Sequence, residues 1–132
     1  MKGAAPQLRV ARPSRDLLAA THFYTEGLGF ELLGSFQDHD GFDGVILGRP
    51  AWSYHLELTQ NRLSQAVVAP TDEDLLIFYI PHLPTWKEVV QRLRSAGARE
   101  TTNANPFWRA HGVTFKDPDG YGVVLQNGSC RT

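Results

Sequence analysis

Leu8 and Val10 alternate with Gln7, Arg9 and Ala11, a period of two that predicts a half-buried strand closed by Pro13. Ser14 stands where a helix cap belongs. Leu17, Ala20, Thr21, Tyr24 and Leu28 then fall at helical spacing, and Gly27 offers a left-handed stop. Strand patterns follow over residues 30–36, 44–47 and 54–59, with 37–42 and 49–53 as connections.

A turn-rich join over 60–73 leads into 75–80, apolar throughout and therefore expected to be buried on both faces. The order then repeats. Thr85 and Glu88 read as a capping box behind Pro84, Trp86, Val89, Val90 and Leu93 form an apolar helical stripe, and Gly97 ends it. Strands are predicted at 99–102, 112–115 and 122–126, the last two joined by the turn Asp117-Pro118-Asp119-Gly120. The class is α+β: two β-α-β-β-β modules at 7–60 and 74–128, with a linker at 61–73, in one domain over 1–132. A lone four-stranded module buries little surface, so each copy needs the other.

With 132 residues, 42% of them hydrophobic, the chain can bury a core without covalent staples. A net charge of −1, from 13 basic and 14 acidic residues spread along the chain, gives no reason to expect nucleic acid or an anionic membrane as partner. A small molecule or another protein surface suits the balance better. The single cysteine, Cys130, cannot form an internal disulfide, and residues 1–6 lack the basic-then-apolar pattern of a secretion signal, so a cytoplasmic location is expected.

Two segments carry a resemblance. Asp16-Leu17, His22-Phe23-Tyr24 and Gly27-Leu28-Gly29-Phe30 come early, and Phe115-Lys116-Asp117-Pro118-Asp119-Gly120-Tyr121 comes late. In that order, on a duplicated β-α-β-β-β pattern, they resemble the vicinal oxygen chelate superfamily, which includes glyoxalase I, bleomycin-resistance proteins, fosfomycin-resistance transferases and extradiol dioxygenases. The resemblance implies a cupped mixed sheet and commonly a homodimer. It also implies metal ligands on the first and last strands of each half. Those positions here read Arg9, Glu57, Leu75 and Val124, of which only Glu57 can ligate, and a guanidinium beside it would repel a cation. No metal and no cofactor are expected.

Alternation puts His55, Glu57 and Thr59 on one strand face and Arg9 with Gln7 and Ala11 on another. In the family's sheet these strands are neighbours, so Arg9 and Glu57 would pair where the metal would sit; the alternative is an ordinary polar sheet face. Leu75, Ile77, Tyr79 and Val124, with Gln126 at the end, would form an apolar facing wall, unless these side chains fill the cup completely. The loop over 105–111 offers Trp108 and Arg109 as a ligand clamp and His111 as an acid or base, against the plainer reading of packing residues. The segment 38–43 lacks a calcium loop's distal glutamate and reads as a turn, and Gly27-Leu28-Gly29 lacks the flanking elements of a dinucleotide fingerprint.

The leading expectation is a metal-independent protein that binds an aromatic or amphipathic ligand in the cup, with Arg9, Tyr79, Trp108, Arg109 and Gln126 as contacts. One rival is a glyoxalase- or dioxygenase-type enzyme using Glu57, helped by His55 or His111, for proton transfer or in an unusual metal site. The other is a non-catalytic structural or partner-binding homodimer with a filled cup.

Overall fold

The computed structural model describes residues 6–64 and 67–130; residues 1–5 of the segment expected to lack a secretion signal and two residues of the 60–73 join lie outside them. Strand β1 (Leu8–Pro13) leads into helix α1 (Leu17–His22), whose cap is Asp16, not Ser14: Asp16 Oδ1 accepts the Ala19 N–H at 3.0 Å. Ser14 is buried, and its hydroxyl accepts the Asp16 N–H at 3.2 Å. The helix then widens into a π-turn, Phe23–Gly27. Thr21 and Thr25 donate their hydroxyls back to the Leu17 and Thr21 carbonyls, both at 2.7 Å, a competition that loosens helical bonding. Gly29, at φ +77°, takes the left-handed stop expected of Gly27. Gly27 is needed for a different reason: a Cβ there would lie 2.6 Å from Leu93 Cδ2.

Strands β2 (Glu31–His39), β3 (Phe42–Gly48) and β4 (Tyr54–Asn61) complete the first half. The turn expected over 37–42 shrinks to its tip, since β2 continues to His39. The second half runs β5 (Leu75–Tyr79), α2 (Leu83–Ser95), β6 (Arg99–Thr101), α3 (Pro106–Ala110), β7 (Gly112–Lys116) and β8 (Gly122–Gln126). The capping box does not form. Helix α2 starts two residues before Thr85, with His82 at its cap, and the Thr85 hydroxyl pairs with His82 Nδ1 at 2.7 Å. Gly97, at φ +80°, ends the helix as its position predicts.

Two four-stranded mixed sheets result, ordered β1-β4-β3-β2 and β5-β8-β7-β6, in an α+β fold. In each, the outer first strand pairs parallel with the fourth strand and the remaining pairs are antiparallel. Strand β5 is therefore an edge, and it is half-buried along its length, not sealed on both faces. Its apolar run reflects two different apolar surroundings.

One face of each sheet packs under the helices. Leu56, Leu58 and Leu47 from the first sheet and Phe115, Val123 and Leu125 from the second meet Phe23, Tyr24, Val90 and Leu93. Burying one such side chain stabilises the fold by roughly 1.5–3 kcal/mol. Trp86 Nε1 donates to the Leu125 carbonyl at 2.9 Å and fixes α2 on β8.

The halves are also joined by polar groups. The Tyr24 hydroxyl donates to buried Asp117 Oδ2 at 2.7 Å, Asp117 Oδ1 accepts the N–H groups of Asp119 and Tyr121, and Asp119 Oδ1 accepts the Arg15 N–H at 2.8 Å. The Arg12 guanidinium lies 4.0 Å over the Tyr121 ring. Burial raises the Asp117 carboxyl pKa, opposed by the Tyr24 bond and the two backbone donors. Burial also pushes the Tyr24 phenol well up, helped by the Asp117 charge. Among the described residues no helix is long and apolar enough to cross a membrane.

Candidate functional site

Parallel pairing of β1 with β4 sets Arg9 opposite His55 and Ala11 opposite Glu57, so all four share the face away from the helices. Arg9 Nη1 donates to Glu57 Oε1 at 3.2 Å. The arginine side chain is 48% exposed and the glutamate 24%, so water screens the pair. His55 is buried, and its Nε2 donates to the Arg49 carbonyl at 3.1 Å, which commits that proton to holding the 49–53 turn.

On the second sheet Tyr79 stands opposite Gln126, and Ile77 opposite Val124. The face expected to be an open apolar wall is partly closed. Val124 is fully buried, and Thr114 and Gln126 nearly so. The segment expected as a rim loop is helix α3: Asn105 Oδ1 accepts the Phe107 N–H at 3.0 Å, and Pro106 takes the first helical position. An asparagine cap followed by proline was the sequence signal for this helix.

The Trp108 ring meets Tyr79 edge-on at 6.5 Å, and a Cβ on Gly112 would sit 2.6 Å from the Trp108 carbonyl and collide with Gln126 Oε1. That oxygen is buried without a hydrogen-bond partner. Arg109 Nη1 donates to the Asn103 carbonyl at 3.3 Å, bracing the start of α3, while His111 is exposed at its end. The predicted residues thus form two groups, Arg9–Glu57 beside His55 and Tyr79–Trp108–Gln126 beside Arg109 and His111. No hydrogen bond or ion pair among the described residues links them.

A cleft that sequence reasoning missed lies between β1 and β5, the facing edges of the two sheets. It encloses about 480 Å3, and its walls include Leu8, Val10, Phe30, Trp52, Tyr54 and Phe78, with His55 and Tyr79 reaching it. The Trp52 and Tyr54 rings stack at 5.0 Å, Phe30 meets Trp52 edge-on at 5.0 Å, and Phe30 and Phe78 are 5.9 Å apart. Phe30 and Phe78 fall in predicted strands and Trp52 in a predicted connection, so nothing in the spacing grouped them. A larger hollow of about 600 Å3, between α1 and the end of α2, contains none of the predicted site residues.

The chain matches the YycE-like N-terminal domain over residues 8–59 and the YycE-like C-terminal domain over 73–127. YycE of Bacillus subtilis (strain 168) is 39% identical over 123 residues, covering 93% of this chain and 88% of that protein. The chain belongs to the YycE-like family. The crystal structure of the Bacillus subtilis YycE protein superposes with a TM-score of 0.89 at 38% identity, over 97% of this chain and 93% of that one. Glyoxalase I of Leishmania major shares the fold at a TM-score of 0.72 and 23% identity, over 94% and 87% of the two chains. The fosfomycin resistance protein FosX of Mesorhizobium loti does so at 0.71 and 12%, over 98% and 94%. The YycE-like fold is that of the vicinal oxygen chelate superfamily.

In this YycE-like chain the four positions where the superfamily resemblance implies metal ligands do not fit a divalent ion. Glu57 is the one donor, and Arg9 already holds its Oε1; Leu75 and Val124 offer none. Among the described residues no three histidines, cysteines or carboxylates gather at one point. A catalytic ion needs about three protein donors.

Proposed function

We propose that this YycE-like protein binds a small molecule with an aromatic or amphipathic body, without a metal, in the cleft between β1 and β5. One observation carries the reading: a cavity of about 480 Å3, within the usual range for small-molecule sites, walled by Phe30, Trp52, Tyr54 and Phe78. The expected ligand position in the cup moves to the junction of the sheets, where His55 and Tyr79 still contribute. Arg9 and Glu57 pair on the other face of β1 and β4, outside the residues that line this cleft. Acid–base catalysis is the weaker reading, because His55 Nε2 is committed to a carbonyl and Glu57 to a guanidinium.

The test is a thermal-shift screen of aromatic and amphipathic compounds with and without EDTA. A ligand at a hundred times its Kd adds about 2.7 kcal/mol of stability by mass action. The expected result is a hit whose shift ignores EDTA and disappears in Trp52→Ala. A stoichiometric divalent ion carried through purification without chelator or metal-affinity tag, and lost in Glu57→Gln, would overturn the proposal.

A further inference from the structure

The bend Gly27-Leu28-Gly29 gathers two cations. Arg49 donates from Nε and Nη2 to the Gly29 carbonyl at 3.2 and 2.9 Å, and Arg92 donates from Nε to the Gly27 carbonyl at 3.1 Å. A methyl group on Gly29 would collide with Arg92 Nη2 and stand 3.7 Å from Arg49 Nη2, so both guanidinium groups converge over that residue. Neither takes part in an ion pair among the described residues, whereas Arg9, Arg62 and Arg94 each do. A guanidinium has five N–H donors, so both keep most of theirs after these carbonyl bonds. Two like charges held this close without a counter-ion repel one another, and an anion between them removes the repulsion.

The bend is also the border of the aromatic cleft. Leu28 and Phe30 line the cleft, Val89 lines it one helical turn before Arg92, and the Arg49 guanidinium lies 5.8 Å from the Trp52 ring centre. Tyr54, half-buried, lines the cleft, and burial raises its pKa.

We propose that the ligand of this cleft is an aromatic acid, its ring held among Trp52, Tyr54 and Phe78 and its carboxylate held by Arg49 and Arg92. The proposal rests on the reading that the cleft binds a small molecule, and it names the chemical class. A planar carboxylate matches the guanidinium fork, and two such forks converge over Gly29.

The test compares naphthoate with naphthamide, its neutral counterpart, by titration calorimetry at neutral pH. The acid is expected to bind about tenfold tighter or better, as charge-assisted bonds to two arginines require. That preference should shrink with added salt, a readout needing no variant. In Arg49→Gln/Arg92→Gln it should vanish while naphthamide binds as before, which also shows that the variant is folded. Equal binding of acid and amide would overturn the acid assignment and leave small-molecule binding standing. Failure of both probes would overturn both. A preference that survives the double variant, or that Arg9→Gln removes instead, places the anion elsewhere and overturns the proposal. Affinity that falls as protein concentration rises makes a second copy of the chain the occupant and overturns it as well.

Discussion

The Tyr24 hydroxyl and Asp117 Oδ2 lie 2.7 Å apart across 93 residues of sequence, bonding the π-turn of the first half to the β7–β8 turn of the second. Tyr24 is fully buried and Asp117 is 6% exposed, so neither has water as an alternative partner.

Tyr24→Phe should therefore destabilise the protein by about 1.5–3 kcal/mol at neutral pH, the usual worth of a hydrogen bond to a charged group. The penalty should depend on pH. Burial raises the Asp117 pKa above 3.8 and the Tyr24 bond lowers it, so the variant's folded carboxyl titrates higher still. A raised carboxyl favours the folded state once protonated, and that gain is lost as pH rises through the folded pKa. The variant's deficit should thus be full above that pKa and shrink toward pH 3.8. Asp43, Asp72, Asp74 and Glu100, all lowered by donors or cations, act in the opposite sense. Their effect cancels when variant and wild type are compared by urea unfolding at each pH.

Gly27 and Leu93 should be energetically coupled. Gly27→Ala places a methyl 2.6 Å from Leu93 Cδ2, an overpacking worth about 1–3 kcal/mol, and Leu93→Ala empties a fully buried site at about 2–5 kcal/mol. In the double variant the new methyl occupies space that Leu93 vacated. Urea melts of the four proteins should show a combined loss smaller than the sum by about 1 kcal/mol or more.

Gln126 should be replaceable and Gly112 should not. Gln126 Oε1 is buried without a donor, so Gln126→Met removes an uncompensated polar atom and should leave stability unchanged or raise it by up to about 1 kcal/mol. Gly112→Ala drives a methyl against the Trp108 carbonyl, which belongs to the backbone of α3 and cannot rotate away. A melting temperature lowered by Gly112→Ala and not by Gln126→Met is the expected pattern. The reverse would show that α3 does not rest on this strand.

Arg9→Ala should cost less than about 1 kcal/mol, since the ion pair with Glu57 is half in water. EDTA or added zinc should leave the melting curves of wild type and Glu57→Gln where they were. A shift confined to wild type would reveal metal held by Glu57.

The alternation of Leu8 and Val10, the stripe of Trp86, Val89, Val90 and Leu93, and the late Asp117–Gly120 turn were legible because each depends on neighbours within a few residues. Arg9 and Glu57 lie 48 residues apart; strand parity puts each on a face, and only the parallel β1–β4 pairing brings them together. The helix starts were less legible. Asp16 and Ser14 both have capping chemistry, and it is Asp16 whose Oδ1 accepts the Ala19 N–H while Ser14 is buried. At α2, His82 takes the cap, so Thr85 and Glu88 never form the box that their spacing allows.

The sequence by itself determined the doubled α+β plan and the presence of a single metal donor, Glu57, among the four strand positions, since residue identity and strand parity suffice for each. Only the tertiary structure decided where a ligand would go. Phe30, Trp52, Tyr54 and Phe78 come from three loops or strands of one half and an edge strand of the other. They form one cleft because β1 and β5 face each other without pairing. Arg49 and Arg92 likewise meet over Gly29 only because α2 packs against the π-turn, a long-range arrangement that no local period encodes.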